Sequence, residues 1–318
     1  MSAITAPSVA SVSSRTSTWA LARIEAKRYA RHPLFLIGVA LCTLASAGRH
    51  GPEELDYHVI PSFFIGVLGI IVAARLTAST DRSAQVVDAA PVSDTARTAA
   101  MCLACAVPTA AGLLIVLVHR LFVLADPVPV FLYGTYGPTD RLFITVIVPV
   151  IACAGGPLLG VAVARWLRFP GAALLAVIAV LFWSNITAYA PAQMSSLARW
   201  NMDSGSLFGR VLHMLTPYTA FASGNGDGEH ATTVMTSFTG SPGWFAVWTM
   251  ALCGLAATAA LWRGADGVVR KSVGRAFVVL AALAAVALVL SVVTGNQTEF
   301  KTTRHGTVAV ALGSPSGD

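Results

Sequence analysis

The segment Ala276 to Val293, AFVVLAALAAVALVLSVV, carries no charge and a single hydroxyl, and it follows closely on Arg270, Lys271 and Arg275. An α-helix rises about 1.5 Å per residue, so about 20 apolar residues cross the ~30 Å hydrocarbon core of a bilayer. A stretch of this length behind a basic collar reads as a membrane-spanning helix. The pattern recurs upstream in Val59 to Leu76, Thr98 to Val118, Leu142 to Ala164, Gly171 to Ala190 and Gly243 to Trp262. Pro33 to Gly48 is shorter, but Arg31, His32, Arg49 and His50 bracket it, and side chains that snorkel to the interface extend its reach. The expected fold is an all-α, polytopic integral membrane helix bundle of about seven transmembrane helices.

Composition agrees. Of 318 residues, 55% are hydrophobic and 11% charged, too little polar material to cover a water-soluble surface. The net charge of +6 does not point to nucleic acid, because the excess basic residues cluster beside the spans. Basic residues accumulate on the cytoplasmic side of membrane proteins. With the N-terminus inside, that side holds 14 of the 21 Lys and Arg: residues 15, 23, 27, 28, 31, 75, 82, 97, 165, 168, 263, 270, 271 and 275. The expectation is a multi-pass protein of the cell membrane with its N-terminus cytoplasmic and its C-terminal tail, 294–318, external. Residues 1–17 are rich in Ser, Thr and Ala and read as a disordered cytoplasmic lead, 18–293 as the transmembrane domain, and 191–242 as a long external loop.

Thr18 to Arg31 reads as an amphipathic helix lying in the interface. Trp19, Ala22, Ala26, Tyr29 and Ala30 share one face, expected in the acyl boundary, beside an i, i+4 row of Arg23, Lys27 and Arg31. Glu25, the only acid there, is placed either to pair with Arg28 or to meet a cytoplasmic partner. Between the second and third spans, Ala78 to Ala90 reads as a short surface helix. Pro91 ends it, and Ser93 N-caps the next span with Asp94 in its first turn.

These two regions carry a resemblance. Arg23-Ile24-Glu25-Ala26-Lys27-Arg28 followed by Arg31-His32-Pro33-Leu34-Phe35, and then Asp88-Ala89-Ala90-Pro91-Val92-Ser93 with Arg97, resemble the ABC type-2 transporter permease family, particularly its actinobacterial members. The resemblance covers the first hundred residues, and beyond them only hydropathy matches. It implies a membrane-spanning permease subunit, an exporter, whose N-terminal helix and first cytoplasmic loop dock on a separate ATPase. Glu25, Asp81, Arg82, Asp88 and Arg97 are then the coupling contacts. It implies two copies of the ATPase carrying ATP and Mg, and a second permease half, identical or related. The chain departs from the family in its seventh span and in Ala90, where Leu is common.

The sequence holds no Gly-x-x-x-x-Gly-Lys-Ser/Thr loop, so any ATP is expected on another polypeptide and the chain itself is not expected to be an enzyme. No Asp, Glu or Lys lies inside a span, which speaks against an ion-coupled carrier. His-Glu-x-x-His and Gly-x-Ser-x-Gly are also absent. Cys102-x-x-Cys105 has no second pair and reads as packing; Asp227-Gly228-Glu229-His230, beside a Gly-rich stretch, reads as a solvated loop rather than a metal site. Pro149 and Gly155-Gly156-Pro157 read as a site of close helix packing or of a bend. In the fifth span, Ser184, Asn185 and Thr187 form a polar patch that must face protein or a wet cavity. After it, Leu207, Val211, Leu212 and Leu215 share one side of a segment ending at Pro217-Tyr218, expected to form the gate. The alternative to transport is a membrane scaffold or sensor that binds a signalling partner.

Overall fold

A computed structural model of the chain describes residues 14–47, 59–86, 92–125, 139, 142–197, 211, 214–215, 233–303 and 306–312. Among the described residues, eight helices carry the fold. Helix α1 is Ser14–Ala30 and α2 is Pro33–Ala47. Helix α3 covers 59–86, with a π-helical stretch at Ser62–Val67. Helix α4 covers 94–125 in two parts, Asp94–Ala104 and Ala106–Ala125. Helix α5 covers 142–166, with a π-helical stretch at Phe143–Ile147. The last three are α6 (Ala172–Leu197), α7 (Pro242–Arg263) and α8 (Gly267–Val293).

Five described helices are long and apolar enough to cross a membrane: Ser62–Arg82, Asp94–His119, Phe143–Trp166, Pro242–Arg263 and Gly267–Val293. The chain is a multi-pass helical membrane protein. Counting α1 and α2 as one broken span gives six, since the two meet at 58°. At about 1.5 Å per residue the 15-residue α2 reaches only about 22 Å. Helix α6, the remaining expected span, runs for 26 residues and opens on the apolar stretch Ala172–Ser184.

Helix α5 is the centre of the bundle, packed between α3 on one side and α7 on the other. Glycine makes the first contact possible. A Cβ on Gly156 would run into the carbonyl oxygen of Gly66, and one on Gly160 into that of Ile70, so the two backbones touch through a small-x-x-x-small pair. The Gly155-Gly156-Pro157 motif therefore serves close packing, while α5 continues through Pro157 to Trp166. Helices α7 and α8 form a hairpin through Gly264–Asp266, with the Trp262 and Phe277 rings 5.8 Å apart. One apolar core surrounds Tyr29, with Phe35, Cys42, Ile65, Cys105 and Cys153; a second surrounds Phe245, with Ile144, Met214 and Val292.

The fold departs from an all-helical expectation in one place. Strands β1 (Thr233–Thr239), β2 (Asn296–Thr303) and β3 (Gly306–Leu312) form an antiparallel sheet in that order, with Thr236 opposite Glu299 and Glu299 opposite Val310. The strand residues are largely Thr, Val and Phe, which suit extended backbone. The sheet joins the segment before α7 to the segment after α8, so both lie at the same end of the bundle. Ser241 N–H donates to Ser291 O at 2.9 Å and fastens the same two ends.

Candidate functional site

The basic connections meet at the end of the bundle opposite the sheet, and their polar side chains bind helix to helix. Ser93 N-caps α4, accepting from Ala96 N–H at 3.2 Å. This positions Asp94 in the first turn, where the helix dipole favours an anion. The expected surface helix over Ala78 to Ala90 is instead the unbroken continuation of α3 through Val86. That run carries Ser79, Thr80 and Asp81 beside α1 and α5.

On α1 the buried stripe is Ala22, Glu25 and Tyr29, spaced i, i+3, i+7. Tyr29 is fully buried, its ring edge-on to Phe35 at 5.3 Å, while Trp19 is 56% exposed. The expected acyl-boundary face is thus split: Tyr29 packs into protein and Trp19 points away from it. Helix α1 docks on the first part of α4 and the end of α3 rather than floating on lipid. Arg23, Lys27 and Arg31 remain exposed.

Glu25 resolves its two expected options in favour of the local one. Arg28 Nη1 donates to both of its carboxylate oxygens, at 2.8 and 2.9 Å. Thr80 Oγ1 donates to the same carboxylate at 3.2 Å, and Arg28 also donates to Ser79 Oγ at 2.6 Å. Asp81 likewise points inward, 3.1 Å from Arg165 Nη1. Arg165, on α5, is 4% exposed and lies 3.7 Å from Asp94, whose backbone carbonyl accepts from its Nη2 at 3.3 Å; its buried Nε has no partner. Arg97 sits 3.9 Å from Asp94. Thr95 Oγ1 donates to Gly264 O at 2.7 Å and brings in the α7–α8 turn. Trp166 Nε1 donates to Ala259 O at 2.9 Å, with Arg263 stacked 5.8 Å above its ring.

Among the five residues expected to make coupling contacts, Glu25, Asp81 and Arg97 thus belong to an intrachain network. Arg82 is exposed, its Nε donating to Ala78 O at 3.2 Å. Asp88 lies outside the described residues. Beside the network, burial, reinforced by Arg75, lowers the pKa of the His32 imidazole from its ordinary value. Its Nδ1 accepts from Leu34 N–H at 3.3 Å, starting α2.

The sequence reading missed Arg165, counting it only toward orientation. Its signal is a basic residue at the last turn of the central span, set against Asp81 at the end of α3 and Asp94 at the start of α4. The network is built to hold the ends of α1, α3, α4, α5 and α7 in register.

At the opposite end, the expected gate segment is described at 211, 214 and 215. Met214 is fully buried against Phe245 and Val292, with Val211 and Leu215 packed beside it. Ser291 Oγ lies 3.4 Å from Met214 Sδ, and Trp183 Nε1 donates to Leu215 O at 3.1 Å. These residues pack at this end of the bundle against α5, α7 and α8. Ser184 is buried on α6; the side chains of Asn185 and Thr187, with Pro217 and Tyr218 entirely, lie outside the described residues. So do residues 227–230, and among the described residues no three His, Cys, Asp or Glu gather as a metal site.

No protein-family model matches the chain, and neither characterised proteins nor solved structures give a match to it. The fold and the two sites define a multi-pass helical membrane protein with a polar clasp at one end and an apolar plug at the other.

Proposed function

We propose that the chain is the membrane-spanning permease subunit of an ATP-driven ABC transporter of the type-2 export class. A separate ATPase subunit carries ATP and Mg, two copies of it serve the complex, and a second permease half, identical or related, completes the pathway. The observation that carries the reading is the docking of α1. Its inner face is fastened to α3 through Glu25, Arg28, Ser79 and Thr80, and its outer face offers Arg23, Lys27 and Arg31. A push on that face would move α3 directly, and α5 through Asp81 and Arg165. A sequence without a nucleotide-binding loop is in keeping with an energy source on another chain. The Met214 plug is the external gate, opening when α5 and α7 separate.

In this reading the clasped end is cytoplasmic and the sheet external. The sheet supports the orientation of the tail: α7 and α8 return the chain to the side from which α7 began. The coupling face moves from the acids to the outward basic row, with Arg82 beside it. Reversing Arg23, Lys27 and Arg31 to Glu should release the ATPase, since charge pairs at such a dock steer association and set its register. The expected result is at least a tenfold loss of co-purified ATPase with unchanged membrane insertion. Full recovery of ATPase with wild-type hydrolysis would remove α1 as the coupling element.

A further inference from the structure

Between α3 and α6 on one wall and α7 and α8 on the other runs a cavity of about 430 Å³, with α5 as its floor. Its lining extends along α5 from Ile151 to Ala162 and along α7 from Thr249 to Ala259, about 15 Å of helix on each. Ile70, Leu159, Val180, Ala256 and Phe277 make it apolar. The few polar atoms on its wall are already engaged: Thr249 Oγ1 donates to Phe245 O and Ala246 O, Cys253 Sγ approaches Ile151 O, and Ser62 has its own interaction. A polar ligand would find nothing to bond, and water in an apolar cavity lacks the two to four partners it needs.

The clasped end of this groove is different. Arg263 is seven residues beyond Ala256 and Arg270 seven before Phe277, so each lies within about 20° of the lining face of its own helix. Both are exposed, and among the described residues no carboxylate pairs with either. Trp166 stands at the same level under Arg263, as an indole does at a membrane interface. Helix α8, at 27 residues and about 40 Å, is longer than the hydrocarbon core, so its first turns with Arg270 and Lys271 project to the headgroup layer.

We infer that the groove is a lipid site: it holds one acyl chain of a resident anionic phospholipid, whose headgroup is bound by Arg263 and Arg270. The apolar walls fix the chain, and the unpaired guanidinium groups at one mouth fix the charge and direction of the lipid. The occupant is held between helices rather than around them, so it survives detergent washing that strips annular lipid.

The test uses the full chain purified in mild detergent, with bound phospholipid measured by native mass spectrometry and by extraction. The protein is then reloaded from vesicles of equal phosphatidylglycerol and phosphatidylcholine. One phosphatidylglycerol per chain is expected. Ala256→Phe, which fills the groove from α7, should lower occupancy at least tenfold, and Val180→Phe should do so from the opposite wall. Arg270→Gln, a surface change that leaves folding intact, should keep one lipid but cut the preference for phosphatidylglycerol at least threefold. Equal occupancy in both filled variants, or an unchanged preference in Arg270→Gln, overturns the site. Cross-linking of two copies through Ala256→Cys would show that a second chain fills the groove and would overturn it as well. These readouts need no ATPase, so they stand or fall apart from the transport reading.

Discussion

Replacing Arg165 with Met removes a cation that lies 3.1 Å from Asp81 and 3.7 Å from Asp94, in a position that is 4% exposed. Breaking a fully buried pair by deleting one partner costs about 3–5 kcal/mol, because the other charge is left without compensation. Here the Asp81 side chain is 28% exposed and that of Asp94 54%, so water takes up part of the loss. A cost of about 2 kcal/mol is the discounted figure, still above the ~1 kcal/mol ceiling of surface pairs. The unpartnered Nε of Arg165 offsets a little more of it, since burying it already costs stability. The assay is a double-mutant cycle of Arg165→Met and Asp81→Leu on the full chain in nanodiscs, followed by chemical or thermal unfolding. Each single change should destabilise, whereas the pair should return close to wild type, because two apolar groups of similar volume can replace an ion pair at little cost. Additive losses, with coupling under about 0.3 kcal/mol, would refute the idea that this pair holds α3 to α5.

Other outcomes follow from the same contacts. Gly156→Val pushes Cβ into the carbonyl of Gly66 and should cost about 1–3 kcal/mol or abolish folded yield, while Gly274→Ala, facing open space, should be tolerated; unfolding midpoints decide. Tyr29→Phe removes a buried hydroxyl that has no hydrogen-bond partner and should be neutral or stabilising by about 1 kcal/mol, so a clear loss would reveal a partner for that hydroxyl. With Met214→Cys and Ser291→Cys, a short bifunctional methanethiosulfonate cross-linker should lock the plug and stop transport until reduced, because the native side chains meet at 3.4 Å. Transport unaffected by complete cross-linking would exclude the plug as a gate.

The spans were legible because membrane hydrophobicity is written in length and charge, and Ser93 was legible because an N-cap is local chemistry. What touches what inside the bilayer was not. Lipid tails are as apolar as Leu, so the periodicity that found the Trp19–Tyr29 face could not say that Tyr29 packs in protein while Trp19 does not. Arg165 was hidden for a related reason: a basic residue at a span end fits the orientation rule whether it faces water or bonds Asp81. The three strands are seven or eight residues each in segments read as loop and tail, and β2 and β3 form a local hairpin that β1 joins only from across α7 and α8. Met214 came from the expected gate segment, seven residues beyond Leu207 and so on the same side of a helix, but was not named with that face.

The central claim is that this chain works with an ATPase it does not itself contain. The most direct measurement is purification of the tagged full chain from its native membranes, with subunit identification and Mg-ATP hydrolysis assayed on the same sample. The account predicts a stoichiometric partner bearing a nucleotide-binding loop, with hydrolysis that disappears when that loop's lysine is replaced and falls when Arg23, Lys27 and Arg31 are reversed on this chain. A chain that purifies with a signalling protein and no ATP-binding subunit, or an ATPase whose activity ignores the basic face of α1, would contradict it.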